Sequence, residues 1–324
     1  PTALHVATAL ELRDRLRPAL ETLARTLRRR AEALAQVTKT GRTHLMDAMP
    51  LTFGQELGAW ASQVESGLER LDATAPRLRR LAIGGTAVGS GVNAHPEAGD
   101  GIAAALAAAT GEPFCCDPDR FRALATQEAA AEVSGQLRVT AVAFTKIAND
   151  LRWMNSGPLA GLGEIELEAL QPGSSIMPGK VNPVLPEAVA MAAARVIGLD
   201  ATVAVAAQSG NFQLNVMLPV IADALLEMID LLAGAAAALE RTVAGFRVRE
   251  DKVIGPLARN PVLVTALNPA IGYLKAAEIA KRAFAEGRPI LDVAQAMTDL
   301  PREELEHLLD PERLTRGGLP DGGS

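Results

Sequence analysis

Apolar residues recur at helical spacing over very long stretches of this chain. In residues 2–37, leucine and alanine follow one another three or four positions apart, and residues 51–82 and 120–154 repeat the pattern. A period near 3.6 predicts amphipathic helices. At 1.5 Å per residue, a helix of about 32 residues is about 50 Å long, several times the usual globular helix. Such rods need long neighbours, so the sequence predicts a bundle of nearly parallel helices.

The pattern also predicts how the chain is divided. Residues 183–246 predict two more helices that separate near residues 208–210, and Pro18 predicts a kink in the first helix. After Phe246, prolines punctuate shorter segments. We therefore predict an all-α fold with a long-helix bundle over residues 1–248, which carries the motifs described below, and a small helical domain over residues 249–324. Because one chain cannot cover so many apolar stripes, we expect a homo-oligomer.

Composition narrows the function. The 38 acidic residues outnumber the 32 basic ones in this 324-residue chain, and the net charge of −6 argues against nucleic-acid binding. Cys115 and Cys116 are adjacent and the four histidines are scattered, so we predict no metal site and no cofactor. The longest apolar run is far shorter than the ~20 residues that cross a bilayer. We expect no membrane association and a cytoplasmic protein.

Two polar, glycine-containing segments interrupt the helices in the first third of the chain. Residues 40–44, Thr-Gly-Arg-Thr-His, end in a histidine that could act as acid or base near neutral pH, or could lie at the surface of a capping turn. Residues 84–93, rich in glycine, lack the spacing and the lysine of a phosphate loop. We interpret residues 84–93 as a tight connection between two helices.

The third such segment, residues 171–183, is the most polar. Between its glycines and prolines it carries Ser174, Ser175, Lys180 and Asn182. Free backbone N–H groups together with a lysine could hold a carboxylate, or the charge that develops on one during a reaction. A structural linker can have a similar composition, so chemistry alone leaves both interpretations open.

These segments resemble the class II fumarase and aspartase branch of the fumarase/argininosuccinate lyase superfamily. The resemblance extends from Pro1 to about Thr315 and is strongest over residues 173–183, Gly-Ser-Ser-Ile-Met-Pro-Gly-Lys-Val-Asn-Pro. Further matching strings are Thr-Gly-Arg-Thr-His-Leu from residue 40, Gly-Gly-Thr-Ala-Val-Gly-Ser-Gly from residue 84 and Lys-Ile-Ala-Asn-Asp-Leu-Arg from residue 146. The resemblance implies an all-helical homotetramer with a central twenty-helix core and active sites shared between subunits.

The resemblance also implies roles for the third segment. Enzymes of this family remove a weakly acidic proton beside a carboxylate, so they must stabilise the aci-carboxylate that forms. Ser174 would be the base on a mobile loop whose backbone amides help to hold the developing charge. Lys180 and Asn182, with Ser175, would bind the carboxylates of a small dicarboxylate substrate.

The same resemblance gives roles to three other residues. Thr43 would bind substrate, and His44 would handle the leaving group or the attacking water. Glu187, taken alone, is a solvated charge at the start of a helix. The family pairs this acid with the histidine, which would fix the imidazole tautomer and raise its basicity.

The substrate is less closely specified than the reaction class. We favour reversible hydration of fumarate to malate, although Gln213 stands where fumarases usually have glutamate and Met46 where the family typically has glutamine. Deamination of aspartate is the first alternative, because Leu-Gln-Pro-Gly at residues 170–173 is more typical of aspartases. A third hypothesis is a structural subunit of the same fold that completes a tetramer without catalysing a reaction.

The resemblance finally implies a longer chain. Family members carry an additional N-terminal portion with Gly-Ser-x-Thr and Ser-x-Asn stretches that contact the substrate carboxylates, and this sequence has no counterpart of it. We expect the sequence to be part of a longer polypeptide. A second polypeptide that supplies the portion, or a loss of activity, are the alternatives.

Overall fold

A computed structural model describes residues 1–171 and 173–318, and long helices dominate it. The first half of the chain forms helices α1 (Thr2–Glu11), α2 (Arg17–Ala33), α3 (Phe53–Leu78), α4 (Ala98–Thr110), α5 (Arg120–Ala125) and α6 (Glu128–Met154). The second half forms α7 (Val184–Ala207), α8 (Leu218–Gly245), α9 (Glu250–Arg259), α10 (Asn268–Ile271), α11 (Tyr273–Glu286), α12 (Ile290–Met297), α13 (Arg302–Leu308) and α14 (Pro311–Leu314), with a 3₁₀ helix over Pro261–Leu267. The predicted all-α class is confirmed.

Within the described residues, three two-stranded sheets join the helices. Strands β1 (Thr38–Thr43) and β2 (Met46–Thr52) form an antiparallel hairpin. The very short strands β3 (Arg80–Leu81) and β4 (Cys115–Cys116) pair in parallel. Strands β5 (Ile165–Glu166) and β6 (Arg247–Val248) pair antiparallel. The sheets are short connections, and they leave the packing to the helices.

The irregularity predicted at Pro18 takes the form of a π turn over Leu12–Leu16, between α1 and α2. Proline has no N–H to donate to the carbonyl of Asp14, four residues earlier, so the regular helical ladder is interrupted there. The wider turn absorbs this interruption without ending the helical segment.

Contacts between Cα atoms divide the chain into two compact units. The first unit comprises residues 1–26, 60–152 and 168–245. Within it α7 packs on α8, and a bidentate pair between Arg195 and Glu227, with N–O distances of 2.7 and 2.8 Å, joins the two helices. Its fully buried apolar side chains include Leu16, Leu20, Leu23, Trp60, Leu137, Phe144, Val196, Met228, Leu232 and Leu239. These residues occupy the helical stripes that the periodicity predicts.

The long helices of the first unit also carry apolar side chains on exposed faces. These side chains are Val139, Val142, Met191, Ile197 and Val205. Among the described residues, only Val184–Ala207 is long and apolar enough to cross a bilayer by length and composition, a test that core helices of soluble proteins also pass. On this helix Arg195 pairs with Glu227, and Asp200 accepts a 2.6 Å hydrogen bond from Ser134. Both polar contacts join it to neighbouring helices of the bundle.

The second unit comprises residues 27–59, 153–167 and 246–324, as far as these residues are described. It contains the β1–β2 hairpin, the β5–β6 pair and the helices from α9 onward. Its core consists of Leu263, Val264, Leu267, Ala276, Ile279, Ala283, Ile290, Val293, Ala294, Leu305 and Leu309. The predicted division into a long-helix bundle over residues 1–248 and a small helical domain over residues 249–324 stays a prediction.

The two cysteines differ in their surroundings although they are neighbours on β4. Cys115 is exposed, whereas Cys116 is half-buried with its Sγ 3.5 Å from the carbonyl oxygen of Ile83. Burial raises the pKa of the Cys116 thiol to about 11, and a hydrogen bond with Asp100 adds to the shift. Because the thiolate is the nucleophile, Cys116 is a poor one near neutral pH.

We therefore expect iodoacetamide at pH 8 to alkylate Cys115 in the folded protein and to leave Cys116 unmodified. Tandem mass spectrometry of the peptide that contains both cysteines measures the two sites separately. In denaturant both thiols react, which serves as the control. Equal labelling of the two sites in the folded protein would contradict the burial argument.

Candidate active site

His44 lies at the tip of the β1–β2 hairpin. His44 and Leu45 form its two-residue turn, and both have positive φ angles, 55° and 61°. Two positive φ values are typical of a type I′ turn, which favours asparagine and glycine and is strained for other residues. Strain of this kind is concentrated at functional sites. Thr43, the last residue of β1, and His44 are both exposed.

The hairpin is irregular just before this turn. The ladder shifts between Thr40 and Arg42, so that Ala48 and Met49 of β2 lie opposite Gly41. A Cβ atom on Gly41 would fall on the carbonyl oxygen of Met49, so only glycine fits. The motif Thr-Gly-Arg-Thr-His thus forms part of a bulged hairpin, where the sequence predicted only a turn.

Ser174 lies in the loop between β5 and α7, and residues 173–182 close on themselves. The N–H of Gly173 donates to the carbonyl of Lys180 at 2.9 Å, and the side-chain amide of Asn182 donates to the carbonyl of Gly173 at 2.8 Å. A Cβ atom on Gly173 would overlap the Lys180 carbonyl, so the closure needs glycine there. One N–H of the Asn182 amide is used in this closure, and its Oδ1 and second N–H are left for other partners.

The Ser174 hydroxyl oxygen accepts two backbone hydrogen bonds. The N–H of Ile176 lies 3.1 Å and that of Met177 3.0 Å from its Oγ. Donors aimed at an oxygen stabilise its negatively charged form. The two donors therefore stabilise negative charge on this oxygen. Ser174 is half-buried in the isolated chain.

The remaining predicted residues lie at the surface of the same segment. Lys180 and Ser175 are exposed, so their polar groups are accessible to a ligand. Glu187 is half-buried in the first turn of α7, whose start carries no side-chain cap. An acid is favourable at the positive end of a helix.

The structure thus places the predicted residues in two groups. Ser174, Ser175, Lys180, Asn182 and Glu187 belong to one continuous segment of the first unit. Thr43 and His44 belong to the second unit. The roles of all seven residues stay predictions.

Ion pairs at the base of the hairpin were not predicted from the sequence. Lys39 and Arg42 both form ion pairs with Glu164, and Lys39 and Glu164 are buried. No local pattern distinguishes Lys39 from an ordinary solvated lysine, because its partner is distant in sequence.

Comparison with known proteins identifies the family. A family model described as "Lyase" matches residues 1–198, and one described as "Fumarase C C-terminus" matches residues 263–316. "Fumarate hydratase class II 2" of Pseudomonas aeruginosa is 58% identical over 320 residues, covering 98% of this chain and 70% of the relative. The chain belongs to the class II branch of the fumarase/aspartase superfamily. The resemblance seen in the motifs is confirmed, and the chain is a lyase.

Other relatives of this class II fumarase-family chain support the same family assignment. "Fumarate hydratase class II" of Thermus thermophilus is 49% identical over 317 residues, with 98% of this chain and 68% of the relative covered. A class II fumarase structure from Schistosoma mansoni superposes with a TM-score of 0.94 at 31% identity, covering 97% of this chain and 69% of that one. The structure of a fumarate lyase:delta crystallin from Brucella melitensis, bound to cobalt, superposes with a TM-score of 0.92 at 40% identity. The match covers 97% of this chain and 68% of that one.

The described residues of this fumarase-family chain offer no group of side chains suited to bind a metal ion. Within residues 1–171 and 173–318, no three side chains of histidine, cysteine, aspartate or glutamate are grouped as a metal ion requires. The prediction that neither a metal nor a cofactor takes part stays a prediction.

Proposed function

We propose that this chain catalyses the reversible hydration of fumarate to malate, with no cofactor. The observation that carries the proposal is the loop at residues 173–182, where a serine hydroxyl accepts two backbone N–H bonds close in sequence to an exposed lysine. The relatives at 58% and 49% identity are named class II fumarate hydratases. Their names favour the hydratase over the aspartate ammonia-lyase.

In the proposed reaction Ser174 removes the proton beside a substrate carboxylate when malate is dehydrated. The two N–H donors stabilise the alkoxide form of Ser174 before it takes that proton. A base works best when its charged form is stabilised enough to exist and still basic enough to react. The backbone N–H groups of Ile176 and Met177 contribute to this stabilisation.

The negative charge that develops on the substrate needs its own partners. Lys180 supplies a cation, and Asn182 and Ser175 supply hydrogen-bond donors to the carboxylates. These groups stabilise the aci-carboxylate more than the ground state, because its charge is larger. Their position in a loop closed by the Gly173–Lys180 hydrogen bond keeps them in one segment.

His44 and Thr43 complete the proposed chemistry from the hairpin tip. His44 transfers the proton to or from the departing or attacking water, and Thr43 orients the substrate. Glu187 pairs with a His44 imidazole and raises its basicity. We propose that these residues and those of the loop before α7 meet in active sites shared between subunits, as the family resemblance implies.

We propose a homotetramer in the cytoplasm as the working form. Support comes from the exposed apolar residues of α6 and α7, among them Met191 at 67% exposure and Val205 at 57%. Exposed apolar residues on long helices mark association surfaces. Packing of α7 against helices of other subunits would bury them.

The direct test is a proton NMR spectrum of fumarate incubated with the chain in an ammonium-containing buffer. Malate is the expected product, and aspartate would establish the ammonia-lyase instead. The assay is repeated with the part of the Pseudomonas aeruginosa relative that this chain does not match. If no product forms in either case, while the chain still raises the activity of a catalytic partner, the structural-subunit hypothesis replaces the enzyme.

Replacing Lys180 by alanine is expected to weaken dicarboxylate binding about ten- to a hundredfold. Loss of one charge-assisted contact costs roughly 1.5 to 3 kcal/mol, which corresponds to this change in Kd. Calorimetric titration with succinate, which cannot react, measures the effect. Lys281→Ala, which removes a lysine of α11 instead, is the control and should leave Kd unchanged. An unaltered Kd in Lys180→Ala would show that another group anchors the carboxylate.

A further inference from the structure

Two buried and oppositely charged side chains, Lys39 and Glu164, lie at the base of the hairpin that carries His44. The side chain of Lys39 is 2% exposed and that of Glu164 is 3% exposed. Lysine and glutamate are almost never buried to this extent unless they are paired. The burial of these two charges therefore needs a structural explanation, which a solvated surface pair does not.

Glu164 contacts both basic residues of β1. Its Oε2 lies 2.9 Å from the Nζ of Lys39, and its Oε1 lies 2.8 Å from a terminal guanidinium nitrogen of Arg42. Lys39 also donates to the Glu56 carboxylate at 2.9 Å and lies 4.6 Å from the centre of the Phe53 ring. Each carboxylate oxygen of Glu164 thus faces its own cation.

The hairpin is irregular between the two cations that contact Glu164. Residues three apart, such as Lys39 and Arg42, point to opposite faces of a regular strand. The ladder shift between them accompanies the convergence of both side chains on Glu164. Arg42 comes just before Thr43 and His44 in the chain. The orientation of the backbone at Arg42 therefore affects the orientation of the turn.

Glu164 itself is held on a fixed element. Its carbonyl accepts the N–H of Arg249 at 2.8 Å, and the next two residues form β5, which pairs with β6. The Glu164 carboxylate is therefore a fixed point, and the two cations of β1 are the groups that it positions.

Stability alone does not explain such a group. Desolvation of buried charges offsets most of their attraction, and replacing a buried pair by apolar residues is often neutral. A buried charge does specify geometry, because an arrangement that separates Glu164 from Lys39 and Arg42 leaves its buried carboxylate without these partners. A hairpin whose tip is strained is a place where such specification has a use.

We propose that Glu164 is a positioning residue, which sets the bulged register of the hairpin through Lys39 and Arg42 and thereby orients Thr43 and His44. The catalytic part of this inference rests on the proposed function. Glu164 touches no substrate in this role and acts only through the two cations.

The test compares Glu164→Gln with Glu166→Gln. Both changes remove one negative charge by the same chemistry two residues apart, but Glu166 is exposed. In Glu164→Gln we expect kcat for fumarate hydration to fall about ten- to a hundredfold, the usual cost of a misplaced catalytic group, with KM changed less than about threefold. Glu166→Gln should match the parent chain in both constants.

A double variant separates positioning from stability. Lys39→Met combined with Glu164→Gln removes both members of the buried pair, so the thermal midpoint should recover toward that of the parent chain. The proposal expects kcat to stay low in the double variant. Recovery of kcat together with the midpoint would overturn it.

Hydrogen–deuterium exchange tests the proposal without turnover. Amides of residues 38–52 should exchange at least about tenfold faster in Glu164→Gln and in the double variant, while those of α11 stay unchanged. Unchanged exchange in the hairpin would refute the positioning role. If the parent chain, alone and complemented, makes no malate, the hydratase proposal fails, and the exchange result still decides the positioning role.

Discussion

Turnover of fumarate should fall by about a thousandfold or more in Ser174→Ala, which in practice abolishes it. Loss of a positioned base removes a factor of up to about 10⁴, and alanine offers no other group to take the proton. Binding of succinate should persist, because Ser174 has no role in holding the carboxylates. Steady-state kinetics and calorimetry on the same preparation measure the two effects.

The control for this variant is Ser62→Ala, which changes an exposed serine of α3 in the same way. It should retain the parent rate. Ser174→Ala also removes the acceptor for the N–H groups of Ile176 and Met177. The same variant therefore tests how far the loop depends on these two hydrogen bonds. Near-normal turnover in Ser174→Ala would remove Ser174 from the role of base.

The second large effect is expected for His44→Asn, with kcat reduced about 10²- to 10⁴-fold. Asparagine removes the imidazole but tolerates positive φ better than most residues, so the turn should keep its conformation. The loss is then chemical. Kinetics with fumarate and malate, together with circular dichroism to confirm folding, measure it.

Leu45→Asn is the matched control for the turn. Leu45 has φ of 61° and is 65% exposed, so the same substitution relieves the same kind of strain one residue away. Its kcat should stay within about twofold of the parent value. Equal losses in both variants would show that the turn conformation matters and the imidazole does not.

The helices of this chain were largely predictable because each one carries its own periodic signal. The predicted segment over residues 120–154 is nevertheless two helices, α5 and α6. The break at Thr126, whose backbone is extended, leaves the apolar spacing almost undisturbed. Periodicity reports the buried face, and it is insensitive to a turn that keeps that face in phase.

The hairpin could not be predicted in the same way. Thr-Lys-Thr-Gly-Arg-Thr has no alternation of apolar and polar residues, and His-Leu is not a typical turn pair. Lys39 and Arg42 of β1 form ion pairs with Glu164, which lies more than a hundred residues later in the chain. Local patterns carry no information on such a contact.

The residues of the candidate site were proposed from the sequence and stay predictions, whereas the geometry of the loop could not be predicted. The density of polar groups in residues 171–183 left an anion site and a structural linker both open, and the motif there is typical of the family. That the Ser174 oxygen accepts two N–H groups depends on the path of an irregular loop. No side-chain pattern encodes that path.

The strained turn at His44 also bears on how this protein can be engineered. Directed evolution for heat resistance selects substitutions that relieve strain, and asparagine or glycine at a type I′ turn is among the first such changes expected. A thermostability screen at this position would select asparagine or glycine, and neither side chain can transfer a proton. A library meant to yield a heat-resistant catalyst should therefore keep residue 44 fixed and vary its neighbour.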